Sequence, residues 1–262
     1  MPELPDVILE QRNFKKHFLK KTIKNIEIKA PKLLPSGSEK TFIKTLIGEV
    51  FTRCEQHGKH LFLATSGKMG VALHFGMTGT LSYGKSIDEA PSYNCMTIEF
   101  EKDFLFYSDR RRLGKLSLVG SMDELIKEHK LGPDALKVGL KEFQEILSAK
   151  TGKIKPVLLD QSLVAGLGNV YIDEVLWQAR IHPESSVKAF TDKEFKLIHS
   201  KIAPILEKAI ELDGERGEFP KGKYLISHRE EGELCPRDKE KLIVKSVGGR
   251  TTFFCNECQG KY

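Results

Sequence analysis

No apolar run in this 262-residue chain approaches the ~20 residues that a membrane-spanning helix needs, so no membrane association is expected. Nor does a basic start lead into an apolar stretch, so no secretory signal is read and a cytoplasmic location is expected. Cysteine is scarce. Five residues are too few, and too odd in number, for a disulfide scaffold. Charge of one sign is also modest: 42 Lys+Arg against 36 Asp+Glu leave +6, a weak pointer toward an anionic partner. Internal repeats and low-complexity tracts are missing. What is present is a 40% hydrophobic composition, too apolar for a disordered chain, on a length that suits one large domain or two modest ones.

The first third alternates with a period of two. Residues 62–64, 71–74, 96–100, 104–107 and 116–119 read as short strands separated by turn residues around Gly67, Gly76, Gly79, Asp103 and Gly114. Such spacing predicts an antiparallel sandwich or barrel, preceded by a helix from about Asp6 to Phe18 with Pro5 at its start. The basic run from Arg12 to Lys32 reads as a solvated helix face. Beyond the breaker Gly132-Pro133-Asp134 the character becomes helical. Thr191-Asp192-Lys193-Glu194 is a capping box ahead of a helical apolar period, and Pro204 within that run predicts a kink or an early break. Gly214–Gly222 reads as a mobile loop. Residues 241–244 and 251–254 read as strands between cysteine-bearing ends. The expected class is α+β, divided as 1–131, 132–223 and 224–262.

Two features carry chemistry. Cys235-Pro-Arg-Asp238 and Cys255-Asn-Glu-Cys258 flank sixteen residues with the spacing of a four-ligand zinc hairpin. Carboxylate oxygen ligates zinc, so Cys235, Asp238, Cys255 and Cys258 form a candidate metal site; the other reading is a hairpin held by packing alone. The second feature is Met1-Pro2-Glu3-Leu4-Pro5. In most chains it would be only a helix entry. With Met1 removed, Pro2 would instead carry a secondary amine, partly neutral at pH 7. Such an amine can attack a sugar C1′ and form an iminium, an electron sink for elimination.

The opening pentapeptide closely resembles that of formamidopyrimidine-DNA glycosylase, in the family shared with endonuclease VIII. The resemblance runs on, in order, through Gly58-Lys59, His74–Gly79, Asp109–Gly114, Leu159-Asp160-Gln161, Val164–Tyr171, Gly248-Gly249-Arg250 and the cysteine hairpin. It implies an N-terminal helix with a β-sandwich, a helix–two-turn–helix and a zinc-finger-like hairpin. It implies a base-excision-repair glycosylase and lyase acting as a monomer on damaged double-stranded DNA, in a bacterial-type cytoplasm beside the nucleoid, with no catalytic cofactor. By the same resemblance Pro2 is the nucleophile, Glu3 transfers protons, and Lys59 contacts the phosphate beside the lesion. Met77 fills the space of the displaced base, Arg111 pairs with the base opposite, and Leu113 is a second wedge. Asn169, expected at a helix N-cap, holds phosphate with Lys59 and Arg250, and Lys155 joins that group. Zinc would position Arg250 and take no part in the chemistry.

Four positions depart from the family pattern: Asp6 for Glu, Arg110 for Pro, Leu113 for Phe and Asp238 for Cys. The stretch from Gly214 to Tyr224 is also short for the loop that covers an extruded oxoguanine. Two alternatives therefore stand beside glycosylase action on oxidised or ring-opened bases. One is an abasic-site lyase, or a glycosylase for pyrimidine or bulky lesions. The other is a non-catalytic protein that binds damaged DNA.

Overall fold

Glu3 and Pro5 open the first helix, α1 (Leu4–Phe18), in the computed structural model, which describes residues 2–35 and 37–262. The chain separates into two units, Met1–Lys130 and Leu131–Tyr262. In the first, β1 (Asn25–Ile28) and α2 (Glu39–Leu46) precede seven strands: β2 (Phe51–His57), β3 (His60–Thr65), β4 (Gly70–His74), β5 (Gly79–Gly84), β6 (Asn94–Glu99), β7 (Phe104–Asp109) and β8 (Lys115–Val119). These form two four-stranded antiparallel sheets, in the orders β1-β6-β7-β5 and β2-β3-β4-β8. Their inner faces share one core with α1, in which Val7, Phe14 and Phe18 meet Phe51, Leu61, Leu73, Ile98 and Leu105. The apolar run Leu61–Ala64 lacks strict alternation because β3 is buried on both faces. Its outer side, Phe62 and Ala64, packs under α3 (Met122–Glu128) through Met122 and Leu125. Strands β1, β2 and β5, and helices α2 and α3, carry too little alternation or length to be read from the sequence.

The second unit contains α4 (Leu140–Ser148), α5 (Ile154–Leu159), α6 (Asn169–Gln178) and α7 (Asp192–Glu211), then a hairpin of β9 (Ile243–Val247) and β10 (Arg250–Phe254). Helix α7 starts at its capping box, with the Thr191 N–H donating to Glu194 Oε2 at 2.8 Å. It runs unbroken through Pro204, so no early break occurs: Ile198, Ile202, Ile205, Leu206 and Ala209 bury one face, and that packing offsets the missing backbone donor. The 214–222 stretch, expected as a loop, contains local structure. Arg216–Glu218 forms a 3₁₀ turn, Phe219 is buried, and the Arg216 guanidinium lies 5.7 Å from the Tyr171 ring centroid. No helix among the described residues is long and apolar enough to cross a membrane. The α+β class is as expected.

Candidate active site and metal centre

In the first unit the N-terminus is organised by α1. Glu3 is its N-cap and is buried, and its N–H donates to Asp6 Oδ2 at 2.7 Å. Asp6 is thus the N3 partner of a capping box, a role the shorter carboxylate fills as well as Glu. Leu4 and Pro5 are buried just beyond, which fixes the backbone that presents half-buried Pro2.

Lys59 occupies the two-residue turn between β2 and β3, closed by the His57–His60 pair, with Gly58 at φ +54° as the turn requires. Beside it, register aligns His60, His74 and Lys115 across β3, β4 and β8. Together with Leu113 and His129 they line a cavity of about 250 Å³. Burial first, then the neighbouring His74, pushes His60 down to about 3; burial, then Lys59 and Lys115, pushes His74 down to about 4. Both rings are neutral at pH 7, and His74 Nδ1 accepts the Gly76 N–H at 3.2 Å. Nothing in the sequence brings His60 and His129 to attention, because only strand register and α3 bring them together.

Two loops of the same unit carry Met77 and the pair Arg111 and Leu113. Buried Asp109 joins them. Its Oδ1 accepts the Thr78 hydroxyl at 2.5 Å and the Arg111 N–H at 3.1 Å, while Oδ2 accepts the Gly114 N–H at 2.7 Å. Burial raises the Asp109 pKa, but the hydrogen bonds from Thr78 and from the Gly114, Arg111 and Leu113 amides outweigh it and hold the group below the usual carboxylate range. Gly76, at φ +60°, lets the loops approach: a Cβ there would lie 2.5 Å from the Leu113 carbonyl carbon. Met77 is half-buried, Arg111 is exposed, and Leu113 is 48% exposed.

In the second unit Gln161 shapes the turn before α6. Its Nε2 donates to the Leu159 and Leu167 carbonyls at 2.9 Å, and its Oε1 accepts the Gly166 N–H at 2.9 Å. The N-cap is Gly168, so Asn169 is the first helical residue and not the cap expected from sequence. Its Nδ2 donates to the Thr251 carbonyl at 2.9 Å, and its Oδ1 is buried without a hydrogen-bond partner. Gly248 and Gly249, at φ +59° and +72°, form the tight hairpin turn before exposed Arg250.

Lys155 requires a correction. It is fully buried, with Nζ 2.5 Å from Asp173 Oδ1 and 2.7 Å from Thr252 Oγ1, so it cannot reach a phosphate from the surface. Asp173 also pairs with Arg229 and accepts the Phe253 N–H at 3.1 Å. Thr252 Oγ1 donates to the Arg250 carbonyl at 2.9 Å. Lys155 therefore holds the strand that bears Arg250.

Cys235, Asp238, Cys255 and Cys258 converge, their ligand atoms all within 4.8 Å of one another. Cys235 Sγ lies 3.8 Å from Cys258 Sγ, and Cys255 Sγ lies 3.2 Å from Asp238 Oδ2. Three sulfurs and one carboxylate oxygen at this separation fit a tetrahedral metal ion. The surroundings fit as well: Trp177 Nε1 donates to Cys235 Sγ at 3.4 Å, and Arg237 Nη1 donates to Cys258 Sγ at 3.2 Å. Such donors orient thiolate ligands and offset their charge. The Arg237 guanidinium lies 3.9 Å from the Trp177 ring centroid, which ties the cluster to α6.

Comparison with known proteins places the chain in a family. Residues 1–116 match the formamidopyrimidine-DNA glycosylase N-terminal domain, and residues 131–220 match the formamidopyrimidine-DNA glycosylase H2TH domain. A formamidopyrimidine-DNA glycosylase of Streptococcus pyogenes is 34% identical, over 100% of this chain and 99% of that protein. The Lactococcus lactis enzyme of the same name, solved non-covalently bound to DNA containing an AP site, superposes with a TM-score of 0.89 at 31% identity, over 99% of this chain and 100% of that one. A MutM complex with DNA containing carbocyclic 8-oxo-G gives 0.89 at 32% identity, with the same coverage. The chain belongs to the formamidopyrimidine-DNA glycosylase family.

Proposed function

We propose that this protein is a base-excision-repair DNA glycosylase with AP lyase activity, acting on oxidised or ring-opened bases in duplex DNA. The observation that carries the reading is the placement of Pro2 directly before the buried, helix-capping carboxylate of Glu3. With Met1, which lies outside the described residues, removed, the Pro2 nitrogen attacks C1′ of the damaged nucleotide. The C1′–base bond breaks, its electron pair leaves with the base, and the base takes up a proton. Glu3 takes up the proton that the Pro2 nitrogen loses on bonding to C1′ and delivers it to the ring oxygen as the deoxyribose opens, giving a cationic iminium at C1′. Loss of a C2′ proton then expels the 3′ phosphate (β-elimination), and loss of a C4′ proton expels the 5′ phosphate (δ-elimination).

The remaining residues bind and orient. Met77 enters the stack where the base has left, Arg111 meets the base opposite, and Leu113 wedges beside it. Lys59 in the first unit, and Asn169 and Arg250 in the second, each contact backbone phosphate. Cys235, Asp238, Cys255 and Cys258 would hold zinc, which would supply a structural cross-link at the base of the hairpin. The protein works as a monomer on damaged double-stranded DNA in a bacterial-type cytoplasm, with residues 1–131 carrying the chemistry and 132–223 and 224–262 gripping the duplex.

Leu113 favours a second reading, an abasic-site lyase or a glycosylase for pyrimidine or bulky lesions with little 8-oxoguanine activity, because an exposed aliphatic side chain cannot stack on a base. Borohydride trapping on duplexes containing 8-oxoguanine, a ring-opened purine, an oxidised pyrimidine or an abasic site separates the readings. Covalent adducts with the purine lesions are expected. Adducts with the abasic or pyrimidine duplexes alone would favour the second reading. No adduct with any duplex would leave only damaged-DNA binding.

A further inference from the structure

Among the described residues, strand β5 is the edge of its sheet, with β7 on one side and no strand on the other. An exposed edge carries unpaired backbone groups, and here the side chains of α1 take them up. Glu10 Oε2 accepts the Leu81 N–H at 3.1 Å, and Glu10 Oε1 accepts the Thr80 hydroxyl at 2.6 Å. One turn along α1, Asn13 Nδ2 donates to the Leu81 carbonyl at 3.2 Å. Both backbone groups of Leu81 are thus clasped by the helix that starts at Glu3. Strand β5 is the one that leaves the Met77 turn, beginning two residues after Met77.

From this geometry we infer that Glu10 is a positioning residue, which fixes the distance between the Pro2–Glu3 end of α1 and the Met77 turn so that base displacement and nucleophilic attack occur in one alignment. The inference rests on the glycosylase/lyase reading above. Displacement of the base opens a space at Met77, and the chemistry needs C1′ within reach of Pro2. A clasp between the two elements sets both positions at once, and small misplacements of reacting groups are costly.

The clasp is also titratable. Burial, opposed by the hydrogen bonds from Thr80 and Leu81 and reinforced by Asp6 on the same helix, pushes the Glu10 carboxyl up to about 7. The Tyr107 phenol of β7 is the other titratable group felt there, and burial, then Asp109, raises it as well, so it stays neutral. Above pH 7 the clasp is an ionised acceptor pair. Below it the carboxyl is protonated and one acceptor weakens.

The test compares wild type, Glu10→Gln and Glu10→Ala in single-turnover borohydride trapping and in the fluorescence of 2-aminopurine placed beside the lesion, which reports insertion. Glu10→Ala is expected to slow trapping about tenfold to a hundredfold, the scale of a misplaced reacting group, while keeping the fluorescence amplitude. Glu10→Gln retains one acceptor and mimics the protonated clasp. The ratio of wild-type to Glu10→Gln trapping rates is expected to rise as pH increases through about 7 and then level. This ratio cancels the titration of the Pro2 amine, and a simple loss of stability would not give it that shape. A ratio flat at one from pH 5.5 to 8.5, or equal loss of fluorescence and trapping in Glu10→Ala, overturns the positioning role. Absence of adduct with wild type overturns the glycosylase/lyase reading itself, a result distinct from either.

Discussion

The two units hold their functional side chains by opposite means. In the first, a sandwich with its own large core presents Met77, Arg111 and Leu113 on loops, and one buried carboxylate, Asp109, ties those loops through neutral donors. In the second, Arg250 sits on a two-stranded hairpin, an element that is marginal by itself in water. Its support comes from a buried ion network of Lys155, Asp173 and Arg229 at one place and from the cysteine–aspartate cluster at another. A scaffold with enough apolar burial needs only local hydrogen bonds to shape its loops. A hairpin resting on only a small cluster of Trp177, Leu225, Leu242 and Phe253 is anchored in addition by charge and by groups able to ligate a metal.

The sharpest way to break this contrast is to remove its central charge. Asp173→Ala takes the carboxylate from the buried Lys155 ion pair, and losing one member of a buried pair costs about 3–5 kcal/mol. The expected result is a large fall in unfolding temperature with rapid amide exchange in β9 and β10, while β3 and β4 keep their protection. Equal loss in both sets of strands would show that the hairpin has no separate anchor. Asp109→Ala is the corresponding cut in the first unit. It strips the acceptor from the buried Gly114 amide, at about 1–3 kcal/mol for a buried donor left unmet, while the Arg111 amide keeps its bond to the Thr78 hydroxyl at 3.0 Å. Its signature is local: weaker insertion beside the lesion, read by 2-aminopurine fluorescence, with the sandwich core still protected. Because the folded pKa of Asp109 is depressed, its contribution is present above the ordinary carboxylate value near 3.9 and is lost only as pH falls below it. Loop order at pH 5 should therefore equal that at pH 8.

How much was legible in the sequence follows the same divide. The first helix, read from about Asp6 and observed from Leu4, the strands with clean alternation, the α7 capping box and the four convergent residues able to hold a metal are legible because local spacing determines them. Strands β1, β2 and β5 are not, since their pairing partners rather than their own pattern make them strands. The burial of Lys155 is not legible for a physical reason: a lysine at the start of a helix is usually solvated, and only the fold places Asp173 and Thr252 around it. Asn169 lies one residue past the N-cap because Gly168, tolerated there though a weaker cap than Asn, takes the extended backbone of that position. The Glu10 clasp and the His60–His74 pair depend on contacts across sheets and helices that sequence spacing does not encode.

A milder probe uses pH on the first unit alone. His60 and His74 are held neutral well below their ordinary value near 6.5. The unfolded chain binds protons as pH drops through 6.5, whereas the folded unit resists until about 4 and about 3, so stability is expected to decline progressively across that window. His74→Gln should flatten the decline in a pH series of unfolding temperatures. A slope unchanged by the substitution would place the sensitivity elsewhere.

The smallest expected effect concerns Leu113. At 48% exposure it makes little contribution to the core, so Leu113→Phe should leave the unfolding temperature within about a degree or two, as surface changes usually do. An aromatic ring in that place can stack on a base face, an interaction worth about 1–3 kcal/mol per base. Excision of 8-oxoguanine, relative to an abasic duplex, should therefore rise several-fold in Leu113→Phe, measured as the ratio of single-turnover rates. The substitution isolates the chemistry of the wedge from its positioning, because Asp109 sets the loop through the Gly114 and Arg111 amides and takes nothing from the Leu113 side chain. An unchanged ratio with a ring in place would mean that the lesion preference is not set by Leu113, and that the Asp109-tied loop governs where the wedge sits rather than which base it favours.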